Sequence, residues 1–263
     1  MKNLCLAIIM VFITSCKKDT NKSQINYKTE TLDVTTSIYP EPISKVFHAH
    51  GGTDTWNAMK TLEFTIGNEK GDELTTIDLK QRKSRIELPK HSIGFDGKAV
   101  WVFNKDTTNY QGNAKFYHNL MFYFCGMPFV FSDSGIHYSE AEALNFQGIT
   151  YPGIKISYDD GVGASSDDEY VLYYHPETYK MEWLAYTVTY FTQEKSEKFS
   201  FVKYGEWQTV NGLLLPKTIS WYHVENGAPT EKRNEVIFKD VKISKEKLDA
   251  SNFIAPKGSF IIE

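Results

Sequence analysis

The chain has 263 residues and a formal net charge of −4 at pH 7, and 41% of its residues are hydrophobic while 24% are charged. This is the composition of a folded globular protein, which excludes a disordered chain, and the length suits one large β-rich domain. The mildly acidic balance, with no basic face, gives no reason to expect a nucleic-acid partner.

The first fifteen residues have the pattern of a secretory signal peptide. A positively charged start, Met1-Lys2-Asn3, precedes an apolar run from Leu4 to Ser15. A helix of about twelve residues spans roughly 18 Å, which is well short of the ~30 Å hydrocarbon core of a bilayer. We therefore expect residues 1–15 to be a cleaved leader and not a transmembrane helix.

The apolar run ends directly in Ile13-Thr14-Ser15-Cys16, which resembles the bacterial lipobox. The resemblance implies that Cys16 carries a diacylglycerol on its thiol and that cleavage occurs before it. Each buried lipid CH₂ contributes ~0.8 kcal/mol, so two or more acyl chains hold a protein stably at a membrane. Because Lys17 stands where Asp would imply retention at the inner membrane, the resemblance implies an outer-membrane lipoprotein, facing the periplasm or the cell surface.

A polar segment separates the anchor from the folded domain. Residues 16–40 are expected to form a flexible tether, and a single β-rich domain is expected over residues 41–263. Pro42 suits a first helical turn and Gly51-Gly52 a helix end, which predicts a helix over 42–52. A second short helix is predicted to start at Thr53 or Asp54.

From Leu62 onward, apolar and polar residues alternate with a period of two, which is typical of β-strands. The turns D-G at 96–97 and N-G at 211–212 are strong hairpin signals. We expect one large antiparallel sheet of about 9 to 12 strands. The strands are predicted over residues 62–66, 74–79, 82–88, 99–103, 154–158, 170–174, 181–191, 199–205, 213–224 and 234–243.

One apolar segment breaks this alternation. Residues 114–131, here called the aromatic insert, read A-K-F-Y-H-N-L-M-F-Y-F-C-G-M-P-F-V-F. Its first part, residues 116–125, is predicted to be a single helix that Gly126 and Pro128 end or kink. Residues 139–143 are predicted to form another short helical turn.

The order of elements resembles a known superfamily. A short helix pair, a long antiparallel sheet and an apolar helical insert are similar to the LolA/LolB-like lipoprotein-carrier half-barrels. H-A-H-G-G-T-D-T-W-N-A-M-K-T-L-E-F at 48–64 and D-E-Y-V-L-Y-Y-H-P-E-T-Y-K-M-E-W at 168–183 also resemble a family of uncharacterised bacterial envelope lipoproteins. The resemblance implies a mainly β (α+β) fold, in which a curved sheet wraps around inner helices and leaves an apolar cavity for acyl chains. It brings no catalytic residues.

Few side chains suggest other chemistry, and we predict no catalytic residue, metal ligand or cofactor. His48 and His50 form H-x-H, but on a helix they point about 200° apart and do not share a metal easily. His50 would instead stabilise the helix C-terminus by its charge. Cys125 lies among apolar residues and is expected to be a buried, inert thiol. With Cys5 in the leader and Cys16 lipidated, it has no disulfide partner in the chain.

The acidic loop D-D-G-V-G-A-S-S-D-D-E at 159–169 could attract Ca²⁺ through the carboxylates of Asp159, Asp160, Asp167 and Asp168. It lacks the residue order of an EF-hand loop, and a solvated hairpin tip is the preferred interpretation. The motifs G-x-x-x-x-G-K-[ST], G-x-S-x-G and H-E-x-x-H are also absent from the sequence.

The aromatic side chains leave two interpretations open. They either fill an ordinary core or line an incompletely filled cleft that binds a lipid or another hydrophobic molecule. On the second interpretation the candidate ligand-binding residues are Trp101, Phe116, Phe122, Phe124, Phe129, Phe131 and Trp183. The alternative function is a surface interaction module that binds an envelope protein or a glycan. A hydrolase is a third hypothesis, which a Ser–His pair in a cleft would support.

Overall fold

A computed structural model describes residues 38–159, 167–192 and 194–262. The predicted leader, Cys16 and the tether as far as residue 37 lie outside these residues and stay predictions. Within the described residues, no helix is both long enough and apolar enough to cross a bilayer.

The described part of the chain begins with two helices and continues as a long series of strands. The helices are α1 (Glu41–Ala49), α2 (Thr53–Ala58), α3 (Ala114–Tyr117) and α4 (Leu120–Cys125), with 3₁₀ turns at Phe129–Ser132 and Ala250–Phe253. The strands are β1 (Thr61–Ile66), β2 (Glu73–Asp78), β3 (Ser84–Glu87), β4 (His91–Phe95), β5 (Val100–Asn104), β6 (Ile136–Phe146), β7 (Ile149–Tyr158), β8 (Tyr170–Tyr174), β9 (Met181–Tyr186), β10 (Ser200–Tyr204), β11 (Trp207–Val210), β12 (Leu213–Pro216), β13 (Thr218–Glu225), β14 (Ala228–Ser244) and β15 (Phe260–Ile262).

Thirteen of these strands form one open antiparallel sheet in the order β15-β5-β4-β3-β2-β1-β14-β13-β10-β9-β8-β7-β6, and β11 and β12 form a separate hairpin. Strand β1 pairs with β2 on one side and with β14 on the other, which joins the two halves of the sheet. The predicted mainly β fold with one large antiparallel sheet is confirmed. The sheet does not close, because β15 and β6 are its two edges.

The turn signals at both predicted hairpins are also confirmed. Asn211 and Gly212 have φ values of 49° and 83°, as a two-residue turn with a left-handed backbone requires, and they connect β11 to β12. Asp96 accepts hydrogen bonds from the backbone N–H groups of Lys98 and Ala99 in the turn between β4 and β5.

Two local predictions are wrong. Residues 139–143 form no helical turn but lie within β6, which pairs with β7. The predicted strand over 213–224 is divided into β12 and β13. Strands β6 and β15 were not predicted, and β4 and β11 were implied only by the two hairpin turns.

The single helix predicted over residues 116–125 is not confirmed. The segment forms α3 and α4, and Asn119 interrupts them with φ −128° and ψ −2°. The Asn113 side chain caps α3 by accepting a hydrogen bond from the Phe116 N–H at 2.9 Å. Gly126 ends α4 as predicted, and its N–H donates to the Phe122 carbonyl oxygen.

The helices and the aromatic insert cover one face of the sheet. Ile43, Val46 and Phe47 of α1 are buried in the main core cluster, which also contains Trp56 of α2. The Trp56 ring stacks on that of Phe129 in the insert, with centroids 5.0 Å apart. Burying side chains of this size stabilises the fold by about 1.5–3 kcal/mol each, so the two helices are held mainly by this apolar contact.

His50 fixes the end of α1 to the sheet by hydrogen bonds instead of by charge. Its ring is fully buried, with Nδ1 donating to the Leu214 carbonyl oxygen at 3.2 Å and Nε2 accepting from the Met181 N–H at 3.0 Å. Burial lowers the pKa of His50 from 6.5 to about 4. The imidazole is therefore neutral at pH 7, and the charge-based role predicted for it is wrong.

Candidate functional site

A cavity of about 720 Å³ lies between the aromatic insert and the sheet. Strands far apart in the sheet order contribute to it, because the end of β2 and the strands β7 to β9 both reach its wall. The residues that line it are Trp56, Asn57, Leu79, Lys80, Arg82, Lys115, Phe116, Asn119, Leu120, Tyr123, Phe124, Met127, Val130, Asp133, Ser134, Tyr158, Asp168, Tyr170, Leu184, Tyr186, Thr187, Val188, Tyr190 and Trp221.

Strand alternation selects the residues of β9 that reach the cavity. Leu184 and Tyr186 are two positions apart and line it, whereas Trp183 and Ala185 belong to a separate cluster. The rings of Tyr170 and Tyr186 are stacked with centroids 6.4 Å apart, so neighbouring strands form a continuous aromatic wall.

The aromatic insert forms the side of the cavity that faces this wall. The Phe124 ring contacts the rings of Tyr186 and Trp221 at centroid distances of 5.6 and 5.3 Å. Phe116 contacts Tyr190 at 5.1 Å. The wall is therefore largely made of aromatic rings, with Leu120, Leu184 and Val188 among the aliphatic side chains.

Tyrosine hydroxyls give the cavity polar positions. The Trp221 indole N–H donates to the Tyr186 hydroxyl at 2.9 Å. The hydroxyls of Tyr123, Tyr158 and Tyr170 form no hydrogen bond with any residue that the structure describes. Burial raises the pKa of each of these three phenols, so they are neutral hydrogen-bond donors at pH 7.

Charged residues surround the opening, here called the cavity mouth and defined by Lys80, Arg82, Lys115 and Asp133. Nη2 of Arg82 donates to both carboxylate oxygens of Asp133 at 2.6 Å. The Arg82 guanidinium also lies 5.0 Å from the centroid of the Phe122 ring. Burial raises the pKa of Asp133, although Arg82 lowers it.

Arg82 keeps one donor group unused. Its Nη1 is buried and forms no hydrogen bond with the described residues. The Asp168 carboxylate, which also lines the cavity, accepts hydrogen bonds from the Thr189 N–H at 2.6 Å and from the Thr189 hydroxyl at 2.8 Å.

A sequence model described as a family of unknown function, DUF6503, matches residues 87–227, which is more than half of the chain. The chain belongs to the DUF6503 family. No curated protein matches the sequence.

Several solved structures are similar to this DUF6503 member. A LolA superfamily protein from Nitrosomonas europaea has 10% identity and a TM-score of 0.45, over 74% of this chain and 88% of that one. A DUF1329 family protein from Desulfovibrio piger has 11% identity and a TM-score of 0.46, over 82% of this chain and 98% of that one. The lipoprotein LppX from Mycobacterium tuberculosis has 11% identity and a TM-score of 0.24, over 56% of this chain and 88% of that one.

The likeness to the LolA superfamily that the element order predicts is thus found among solved structures. With TM-scores below 0.5, these likenesses identify neither a ligand nor an activity for the DUF6503 chain.

Two of the candidate ligand-binding residues, Phe116 and Phe124, line the cavity. Phe129 and Phe131 are fully buried in the main core beside it, and Phe122 lies under the Arg82 guanidinium. These three residues hold the insert in place from its buried side and do not line the cavity.

The two candidate tryptophans lie elsewhere. Trp101 is fully buried, and its indole N–H donates to the Phe253 carbonyl oxygen at 3.0 Å. Trp183 packs in the separate cluster against Phe146 and Tyr222, with ring centroids 4.7 and 4.8 Å away. Sequence reasoning missed the tyrosines of β7 to β9 and the charges of the mouth. The three tyrosines lie one on each strand, at the end of β7, the start of β8 and the end of β9, so no pattern within a single strand marks them.

Other candidate groups do not combine into a reactive site. Cys125 is fully buried, and burial raises the pKa of its thiol. No cluster of three or more His, Cys, Asp or Glu side chains suited to a metal occurs among the described residues. The part of the predicted acidic loop at 160–166 lies outside them.

One Ser–His hydrogen-bonded pair occurs among the residues that the structure describes. The Ser84 hydroxyl lies 3.3 Å from Nδ1 of His118. Ser84 is completely buried in β3, and neither residue lines the cavity. A substrate has no access to this hydroxyl, so the pair does not favour a hydrolase.

Proposed function

We propose that this protein is a non-enzymatic lipoprotein, anchored to the outer membrane through Cys16, whose half-barrel domain holds the acyl part of a lipid in the cavity. The cavity itself is the observation that supports this function. Its volume of about 720 Å³ lies within the ~300–1,000 Å³ typical of small-molecule sites. Its wall is aromatic and aliphatic, whereas its charges lie mainly at the mouth.

An acyl chain suits this wall better than water does. A buried water molecule needs about 2–4 polar partners, which the rings and aliphatic side chains do not supply and which only the polar side chains of the lining offer. Each methylene removed from water contributes about 0.8 kcal/mol, so ten methylenes contribute about 8 kcal/mol. A net binding free energy of that size corresponds to a Kd of about 1 μM, and the cost of immobilising the chain reduces it.

The open sheet explains why a space remains. Four short helices and two 3₁₀ turns accompany a sheet of thirteen strands in the described part of the chain. The sheet curves enough for the end of β2 and strands β7 to β9 to face one cavity, as in a half-barrel. The aromatic insert covers the cavity without filling it. Its apolar residues that would contact the acyl chain include Phe116, Leu120, Phe124, Met127 and Val130.

The proposed anchor would place the domain near its ligand. A flexible tether of about 24 residues has a mean span of ~25–30 Å, which keeps the domain clear of the lipid headgroups but close to them. The lipids of the same membrane are then the nearest source of acyl chains.

Native mass spectrometry of the domain, purified without detergent and then delipidated, tests the proposal. Added palmitate should form a 1:1 complex and displace a fluorescent fatty acid. Phe124→Asp places a charge in the aromatic wall and should abolish binding. Val188→Trp fills the cavity without removing a core contact and should weaken binding if Phe124→Asp does not fold. Trp183→Phe, in the separate cluster, is the matched control and should bind normally.

A domain that folds, takes up no palmitate and leaves the fluorescent fatty acid unbound would refute acyl binding. Recovery of a stoichiometric envelope protein or a glycan in place of lipid would favour the alternative, a surface interaction module.

A further inference from the structure

We propose that the lipid is an anionic amphiphile and that Arg82 binds its carboxylate or phosphate group at the cavity mouth. This inference rests on the proposed function for the acyl part of the ligand and adds the chemistry of the head group.

The unused donor of Arg82 is the first observation. Arg82 lies in the turn between β2 and β3, where its φ of 55° is left-handed. Its Nη2 is committed to Asp133, while its buried Nη1 has no partner among the described residues. A buried donor without an acceptor is unfavourable. Arg82 lines the cavity, and a small turn of its guanidinium would bring Nη1 to an incoming anionic oxygen. The guanidinium fork matches the geometry of carboxylates and phosphates.

The charge around the mouth is the second observation. Lys80, Arg82 and Lys115 are the cations of the cavity lining, and Asp133 and Asp168 are its two carboxylates. Lys115 is exposed and forms no ion pair with the described part of the chain. The mouth therefore carries an excess of positive charge, which favours an anionic head group over a cationic or zwitterionic one.

The third observation connects the head group to the tail. Tyr123 lines the same cavity as Arg82 and Asp133. Its hydroxyl is unpartnered among the described residues, as are those of Tyr158 and Tyr170 along the wall. A ligand whose anionic oxygens contact Arg82 can accept a further hydrogen bond from Tyr123 while its chain continues along the aromatic wall.

The test compares ligands that share a chain and differ in charge. Displacement of the neutral fluorescent probe N-phenyl-1-naphthylamine from the full-length domain gives Kd values for palmitate, 1-hexadecanol and monopalmitoyl phosphatidic acid. Palmitate or the phosphatidic acid should bind at least tenfold more tightly than hexadecanol. The tighter of the two shows whether the head group is a carboxylate or a phosphate. Raising the salt concentration should weaken the anions only.

Two variants separate recognition of the head group from stability of the fold. Both break the same ion pair, but only Arg82→Asn removes the group that is proposed to bind the anion. Arg82→Asn introduces a residue that tolerates the left-handed backbone at this position. The variant should bind the anionic lipid about tenfold more weakly and hexadecanol with unchanged affinity. Asp133→Asn removes the carboxylate that competes with the ligand for Arg82, so palmitate should bind equally well or more tightly. The thermal midpoint of each variant shows that it is folded, and the wild-type comparison of palmitate with hexadecanol needs neither variant.

The possible failures are distinguishable. Equal binding of palmitate and hexadecanol would overturn the anionic head group and leave the proposed function intact. Equal losses of palmitate affinity in Arg82→Asn and Asp133→Asn would show that the ion pair has a structural role only. Displacement of the probe by none of the three lipids would refute the proposed function itself.

Discussion

Acidification should destabilise the domain through His50, the residue that fixes α1 to β9 and β12. The ring uses Nδ1 as a donor to Leu214 and Nε2 as an acceptor from Met181. Protonation would place an N–H on Nε2 directly against the Met181 N–H, 3.0 Å away. The ring has no exposed surface through which water could solvate the new charge.

The magnitude follows from the difference in pKa between the folded and unfolded chains. Burial lowers the pKa of His50 from 6.5 to about 4. Between these values the unfolded chain binds a proton that the folded chain does not, so stability falls as the pH falls. A pKa difference of this size gives about 3 kcal/mol in total, of which about 2 kcal/mol is lost between pH 7 and pH 5.

Urea unfolding at a series of pH values between 5 and 8 measures this dependence. Burial also lowers the pKa of His118 to about 4, so the wild-type slope contains both residues. His50→Gln should remove the His50 part of the slope, whereas His118→Gln should leave that part in place. A His50→Gln protein with the full wild-type slope would refute this account of the α1 contact.

Three further results are expected. Gly51→Ala should lower the free energy of unfolding by about 2 kcal/mol or more, because the new Cβ would lie 2.2 Å from the Gly212 carbonyl oxygen at a φ of +105°. Gly148→Ala should lower it by about 1 kcal/mol in the same urea assay, because a Cβ there meets nothing within 4 Å. Glu73→Gln should stabilise the protein above pH 5 relative to wild type, because burial raises the pKa of Glu73 and its charged form is therefore disfavoured in the fold; a constant difference from pH 4 to pH 8 would contradict this. Cys16→Ser should leave the protein unlipidated and absent from isolated outer membranes, and normal membrane recovery of the variant would exclude the anchor.

The sheet was largely predictable because its strands alternate apolar and polar residues and end in turns with strong preferences. Strand β6 was not, since most of its residues are exposed at the sheet edge and carry no clear alternation. Its Glu and Ala residues favour a helix locally, and pairing with β7 overrides that preference. The connecting turn, Gln147-Gly148, adopts φ values of 49° and 82° without the Asn or Asp that signals a hairpin.

The site was predictable only in part. Local composition marks residues 114–131 as a cover for the sheet, and the cavity lies beneath them. Which aromatic rings face the cavity depends on strand register and on where α3 ends, and neither is encoded by composition. Likewise, the sequence alone does not distinguish Arg82 from other cations in turns, because its contacts with Asp133 and Phe122 form only in the fold.

Photolabelling with a palmitate that carries a diazirine along its chain, followed by peptide mass spectrometry, tests most directly whether the cavity holds an acyl chain. Acyl binding in the cavity should place labels on the aromatic insert and on residues 184–190, and excess unlabelled palmitate or Val188→Trp should reduce both. Labels confined to the separate cluster around Trp183, or no label that competes with palmitate, would contradict it.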